Sequence, residues 1–333
     1  MRIIPQSVVE RLLPVGDCVD VMRDAMIATS KGDVTLPIRQ FMPVPGAAGK
    51  MAIMPGSLGT ARDCDNASFG IKLVCKYERP QDDPLGTHVG MVMLFDSAKG
   101  IPLAMIEGSS LTSIRTSAAS ALATQLMARE DATRLAIIGN GEQAARHVDA
   151  MMAVRRISHI TVWGRDMARA KAFSEATEAR VGLPVSVAAL TPTQAVAEAD
   201  IVCTTTSAKE PVLKGADLRP GQHINLVGAA IPTSAEVDSE AVKRSRFVVD
   251  YRPAAMAAAG ELLNAIKDGT VTEDHIAGEI GEVAQGSVVG RSNQDEITMY
   301  KSLGVAAQDL AAAHAVWKMA VAENAGHEVD LLA

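Results

Sequence analysis

The chain has 333 residues, 48% hydrophobic and 21% charged, which is long enough for two domains and too apolar for a disordered chain. A formal net charge of −7 with no concentrated Lys/Arg run argues against a nucleic-acid partner. No apolar, charge-free window approaches the roughly 18 residues that a membrane span needs, and the opening Met1-Arg2-Ile3-Ile4-Pro5-Gln6-Ser7 lacks the apolar stretch of a secretory signal.

In chain order, Val8 to Lys31 carries apolar residues at helical spacing (Val8, Leu12, Val19, Met22, Met26) and predicts one or two helices. Met51 to Met54 and Gly70 to Tyr77 are short apolar runs that suit strands. His88–Ser97 and Ile101–Glu107 flank Ala98-Lys99-Gly100 as a hairpin, after a polar loop at 80–87. Ser113 to Ala128 is Ala-rich and helical.

The pattern then becomes regular. Strands are predicted at 135–138, 160–163, 184–188, 201–204, 224–227 and 247–249, with helices at 142–154, 167–179 and 191–197. Such alternation indicates βαβ units and a parallel sheet covered on both faces. Val305 to Asn324 predicts a strong amphipathic helix that returns to the first domain. With aromatic residues at only 3%, the core falls to Ala, Val, Leu, Ile and Met, and the sixteen methionines read as core filling. Cys18, Cys64, Cys75 and Cys203 are widely spaced without a Cys-x-x-Cys pair. They are expected to be reduced thiols of a cytoplasmic protein, with no disulfide frame and no metal site.

Chemistry enters at Gly139-Asn140-Gly141-Glu142-Gln143-Ala144, which follows an apolar strand and opens a helix inside a βαβ unit. Gly139 allows a tight turn, Gly141 lets the backbone approach a pyrophosphate, and Ala144 permits close packing of helix on strand. The helix N-terminus offers unpaired N–H groups to the anion. An acidic residue at the end of the second strand would bind a ribose 2′-hydroxyl, whereas Arg would accept a 2′-phosphate. Trp163-Gly164-Arg165-Asp166 puts Gly164 in the acid's place and Arg165 next, which favours NADPH, with NADH the alternative. Asp166 reads as the cap of the following helix.

Several segments, in order over most of the chain, resemble the ornithine cyclodeaminase/mu-crystallin family. They are Phe69-Gly70-Ile71-Lys72-Leu73-Val74, Thr87-His88, Thr112-Ser113-Ile114-Arg115-Thr116, the glycine loop itself, His223 to Gly228 with Pro232 and Glu236-Val237-Asp238, and Gly281-Glu282-Val283 through Asp295 to Gly304. The resemblance implies an α/β fold in two parts. Residues 116–304 would form the NAD(P)-binding Rossmann domain, and 1–115 with 305–333 an α+β substrate-binding and dimerisation domain. It implies a homodimer and chemistry at the C–N bond of an amino or imino acid. It places substrate-carboxylate ligands at Arg39, Lys72 and Arg115, and dinucleotide contacts at Thr116, Val227, Gly228 and Ser302, with His88 touching cofactor or substrate. The physical logic agrees: a guanidinium binds a carboxylate bidentately, and a lysine in an apolar strand is costly to bury without an anion. Structural ion pairs for Lys72 and Arg115, and a satisfied interior His88, are the alternatives. Ser302 and Asp309 would either touch the nicotinamide or cap and orient the last helix.

One departure decides the reaction. Cyclodeaminases of the family carry an acid two residues after the Val-Gly step, where this chain has Ala230, and a second acid where it has Ala52. A methyl group can neither take a proton nor hold an ammonium group. The expected activity is therefore NAD(P)H-dependent reduction of a cyclic imino acid, Δ1-pyrroline-2-carboxylate or its six-membered homologue. Lys72 or an ordered water would supply the proton. The alternatives are an ornithine cyclodeaminase or amino-acid dehydrogenase, and a non-catalytic binder of NADP(H) or a small ligand.

Overall fold

In a computed structural model the described residues are all except 47–48, 60–66, 78, 80–84, 86–87, 189 and 332–333. Cys64, Thr87 and most of the expected 80–87 loop thus lie outside the described residues. The chain divides into two compact units, Met1–Arg115 with Val305–Ala333, and Thr116–Gly304.

The first unit opens with β1 (Arg2–Ile4), α1 (Gln6–Leu12) and α2 (Val15–Lys31). Pro14 separates the two helices, since a proline cannot donate the backbone bond that would join them. Strands β2 (Val34–Thr35), β3 (Gln40–Pro43), β4 (Lys50–Leu58), β5 (Ser68–Lys76), β6 (His88–Phe95) and β7 (Pro102–Glu107) follow, then α3 (Gly108–Met127). The boundary between the units falls inside α3, after Arg115.

The second unit continues with β8 (Arg134–Ile138), α4 (Glu142–Val154), β9 (His159–Trp163), α5 (Met167–Val181), β10 (Val185–Val187), α6 (Pro192–Val196), β11 (Ile201–Thr204) and β12 (His223–Leu226). Then come α7 (Ser239–Lys243), β13 (Ser245–Val249), α8 (Arg252–Ala258), α9 (Gly260–Lys267), β14 (Ile276–Glu279), α10 (Ile280–Ala284) and β15 (Ile297–Lys301). All eight strands are parallel, in the order β10-β9-β8-β11-β12-β15-β13-β14. Apolar runs such as Ile201–Thr204 are buried on both faces, as a parallel sheet between helices requires. Strands β14 and β15 escape the sequence reading. The reason is visible in β15, where the fully buried Lys301 and Thr298 break the apolar run.

The chain then returns to the first unit with α11 (Ala306–Ala322) and β16 (His327–Glu328), which gives the strand order β16-β1-β7-β6-β5-β4-β2, with β3 also on β4. Here α11 lies with α2 on one face of the sheet, against β4, β5 and β6. It approaches closely because Gly70 has no side chain: a Cβ there would collide with the Met93 carbonyl and stand 3.0 Å from Leu310. The expectation of a strongly amphipathic helix needs correction. Residues 306–310 are buried all round, including the polar Gln308 and Asp309, and only the later turns expose a face. The other face of the sheet is apolar and half-open, with Ile53, Leu73 and Met91 in one row and Ile71, Met93 and Met105 in the next.

Candidate active site

In the second unit, the glycine loop leaves β8 with Gly139 at φ +127°, a conformation open to glycine, and a Cβ there would stand 2.6 Å from Thr205 Oγ1. Gly141 is the N-cap of α4 and no side chain caps the helix, so its first N–H groups keep their donors. A Cβ built on Gly141 would meet nothing within 4 Å, and Gln143 Oε1 is buried without a hydrogen-bond partner among the described residues. Ala144 is fully buried against the sheet. Uncapped donors and open space above the glycine together fit a dinucleotide pyrophosphate, while the Gln143 oxygen, an acceptor, suits a ribose hydroxyl and not a phosphate.

Behind the loop, His147 Nδ1 donates to the Gln143 carbonyl at 2.7 Å, leaving Nε2 to accept from Ser120 Oγ at 3.0 Å. Burial pushes this imidazole down to about 4, so it is neutral. At the end of β9, Gly164 is buried 3.0 Å from Asn140 Nδ2 when a Cβ is built on it. Arg165 is exposed and makes no ion pair among the described residues. Asp166 caps α5 through the Arg169 N–H at 3.2 Å.

Sequence reading singled out Glu236 only as part of a motif, yet it organises the carboxyl ends of β11 and β12. Its fully buried carboxylate accepts from Thr206 N (2.7 Å), Thr206 Oγ1 (2.8 Å), Thr204 Oγ1 (2.8 Å) and Gly228 N (2.7 Å). Val227 is buried and Gly228 exposed at this turn, and Ala230 packs half-buried on the sheet's core. Thr116, on α3, is buried. Ser302 is also buried, but its hydroxyl has no partner among the described residues, and α11 has no side-chain cap, so Ser302 does not cap the last helix.

In the first unit, Lys72 stands on the buried face of the sheet, in the row Met54–Lys72–Val92–Ile106 beneath α11. Its Nζ donates to Asp309 Oδ1 at 2.8 Å, and Arg115 Nε donates to the same oxygen at 2.8 Å. Arg115 Nη1 donates to Gln308 Oε1 at 2.9 Å. All four residues are buried, and Asp309 Oδ2 has no hydrogen-bond partner among the described residues. Asp309 therefore neither caps nor terminates α11; it gathers the two cations.

Burial would raise the Asp309 carboxyl, but Arg115 and Lys72 outweigh it and hold it below the usual range. Burial is also the main effect on Lys72. Asp309 opposes it, the positive charges of Arg115 and Arg39 reinforce it, and the ammonium is pushed down to about 7. Half-buried Arg39 precedes β3, near enough for its charge to reach both Lys72 and His88. His88, open to solvent on one side, is pushed down to about 4 by the protein packed around its ring and by Lys76, Lys72, Arg39 and Lys50. A region with this many cations and one buried acid is suited to an anion. Ala52 lies on the buried face of β4, opposite Val74, so neither Ala52 nor Ala230 adds a carboxylate.

Among the described residues no group of His, Cys, Asp and Glu could hold a metal ion and no helix is long and apolar enough to cross a membrane; Cys18, Cys75 and Cys203 are free thiols.

A doubly wound parallel sheet with a glycine loop at its first βα turn defines a dinucleotide-binding protein of the Rossmann class, here joined to a mixed-sheet unit that buries a cationic cluster. The chain belongs to the ornithine cyclodeaminase/mu-crystallin family, whose model matches residues 2–324. It is 34% identical over 333 residues to a Δ1-pyrroline-2-carboxylate reductase of Bacillus cereus, covering 99% of this chain and 100% of that protein. The solved structure of Thermococcus litoralis Δ1-pyrroline-2-carboxylate reductase in complex with NADH and L-proline superposes with a TM-score of 0.93 at 31% identity, covering 99% of this chain and 100% of the other. An archaeal alanine dehydrogenase dimer with bound NAD gives a TM-score of 0.90 at 29% identity, covering 100% of this chain and 99% of the other.

Proposed function

We propose that this protein is an NAD(P)H-dependent reductase of a cyclic imino acid. Its preferred substrate is Δ1-pyrroline-2-carboxylate, reduced to L-proline, with the six-membered Δ1-piperideine-2-carboxylate as the homologue. The observation that carries this reading is the buried Lys72–Arg115 pair sharing one oxygen of Asp309. Two cations to one acid leave a positive charge for a substrate carboxylate. Arg115 spends Nε and Nη1 on α11, which leaves Nη2 for the ligand, and Lys72 Nζ keeps two N–H groups. Arg39 adds long-range attraction.

The bound dinucleotide supplies the hydride. The chain's own residues hold the carboxylate, exclude water through burial, and place an acidic N–H near the imine nitrogen. With its ammonium near neutrality, Lys72 is suited to give that proton. Gly139 to Ala144 hold the pyrophosphate, with Thr116, Val227, Gly228 and Ser302 completing the cofactor site and His88 at the edge of the substrate site. Gly164 and the exposed Arg165 favour NADPH over NADH, although the Thermococcus litoralis relative was solved with NADH. The half-open apolar sheet face suits a second copy of the chain, and the archaeal alanine dehydrogenase it resembles was solved as a dimer. The free thiols suit a reducing compartment such as the cytoplasm.

The alanine dehydrogenase likeness makes amino-acid dehydrogenation the second reading. The test is dinucleotide oxidation with pyrroline- and piperideine-2-carboxylate against pyruvate plus ammonia, together with ammonia release from ornithine. Imine turnover well above the other two is expected, and ornithine or pyruvate turnover without it overturns the reading.

A further inference from the structure

We propose that Asp309 is a positioning residue for proton delivery. Its Oδ1, shared by Lys72 Nζ and Arg115 Nε, locks the ammonium against the guanidinium and holds a proton on part of the buried lysine population at neutral pH. This rests on the reductase reading for its purpose, but the geometry stands without it.

A lysine buried on an apolar sheet face sheds its proton unless an anion faces it. The charges that act on Lys72 come from several elements: Asp309 from α11, bonded to its Nζ, Arg115 from α3, itself bonded to Gln308, and Arg39 ahead of β3, while His88 of β6 feels the Lys72 charge in turn. Cys18 of α2 lies beside Arg115, and burial pushes its thiol up to about 12, so it stays neutral. His88 is neutral too. Asp309 is therefore the one anion of the group, set against Arg115 and Arg39, which both drive the proton off Lys72. The carboxylate also meets a positional need. Arg115 has Nε and Nη1 fixed by adjacent residues of one helix, Asp309 and Gln308, so the fork cannot swing as the ligand arrives. Asp309 Oδ2, buried and without a hydrogen-bond partner among the described residues, leaves the carboxylate held by them from one side only.

As the imine carbon takes a hydride from the dinucleotide, the nitrogen takes the proton of Lys72 Nζ. The C=N π bond is lost, the product is a secondary amine, and the neutral lysine regains a proton from water.

The test follows the 13Cε resonance of Lys72, assigned with Lys72→Met, through a pH titration of the full chain without dinucleotide or substrate. The midpoint should lie near neutrality. In Asp309→Asn it should fall by at least about one pH unit, and in Asp309→Glu it should return towards the wild-type value. An unchanged midpoint in Asp309→Asn overturns the proposal. Should that variant not fold, wild type decides alone: the shared oxygen requires the Arg115 Nε–H resonance to move with the Lys72 step, and indifference of that resonance overturns it. In the imine assay the alkaline limb of the kcat profile should move to lower pH in Asp309→Asn with KM less affected. Absence of imine turnover in wild type would sink the reductase reading while leaving the titration result intact.

Discussion

Each unit of this protein buries a lysine, and the two differ in their charge balance. In the second unit, Lys301 is fully buried, with Nζ 2.6 Å from the Ala229 carbonyl and 3.1 Å from Glu261 Oε1, one cation to one acid. In the first unit, Lys72 and Arg115 share a single acid, Asp309. A balanced pair is complete as it stands and reads as structure. An unbalanced cluster in a buried place carries a desolvation penalty that a bound anion relieves, which is the mark of a site.

Substitutions should separate the two lysines. Lys72→Met leaves Asp309 paired with Arg115, so folding should be little affected while kcat/KM for imine reduction falls by roughly 10²–10⁴-fold, the worth of a positioned proton donor. Lys301→Met leaves Glu261 buried without its cation and should destabilise the protein by about 3–5 kcal/mol in denaturant unfolding, with activity per folded molecule largely kept. The reverse pattern would dissolve the distinction.

Acid should act on the second unit through its buried neutral histidines. His147 and His223, held down to about 4 and about 3 by burial, bind a proton in the unfolded chain near 6.5 but not in the folded one. Stability contributed in this way is present above about pH 6.5 and is lost as pH falls, on the order of 4 kcal/mol for the pair by pH 5. Unfolding midpoints of wild type and His147→Asn measured from pH 7 to 5 should converge as the pH drops. Parallel curves would contradict the assignment.

Gly139→Ala puts a side chain at φ +127° against Thr205 and should cost about 1–3 kcal/mol, together with most of the dinucleotide affinity, read by thermal melting and by a binding titration. The smallest effect belongs to cofactor choice. Arg165→Ser should raise KM for NADPH about tenfold and leave NADH unchanged, as one exposed charge-assisted contact implies. Equal effects on both would remove Arg165 from the cofactor site.

How legible these features are in the sequence follows the same contrast. From Arg134 to Thr204 the strands are largely apolar and α5 and α6 carry side-chain caps, at Asp166 and Thr191, so local periodicity suffices. Beyond Val249 the sheet takes in Lys301, and α9 contributes the buried Glu261, so the charges that complete the core hide its periodicity. Lys72 stands out as a charge inside an apolar strand. Asp309 stands out only through the family-like tail, and its pairing with Lys72 does not, because the two lie 237 residues apart. Glu236 is hidden in another way: its partners are mostly backbone and hydroxyl donors rather than a cation, and no spacing rule announces those.

The central claim is that the surplus positive charge of the Lys72–Asp309–Arg115 cluster binds the carboxylate of a cyclic imine. It is tested most directly by kcat/KM for Δ1-pyrroline-2-carboxylate and for the same ring without its carboxylate, in wild type and in Arg115→Ala. Loss of the carboxylate should cost wild type on the order of 10²-fold or more and cost Arg115→Ala far less, since the group it would have met is gone. If wild type reduces both rings equally well, the cluster does not hold the substrate carboxylate.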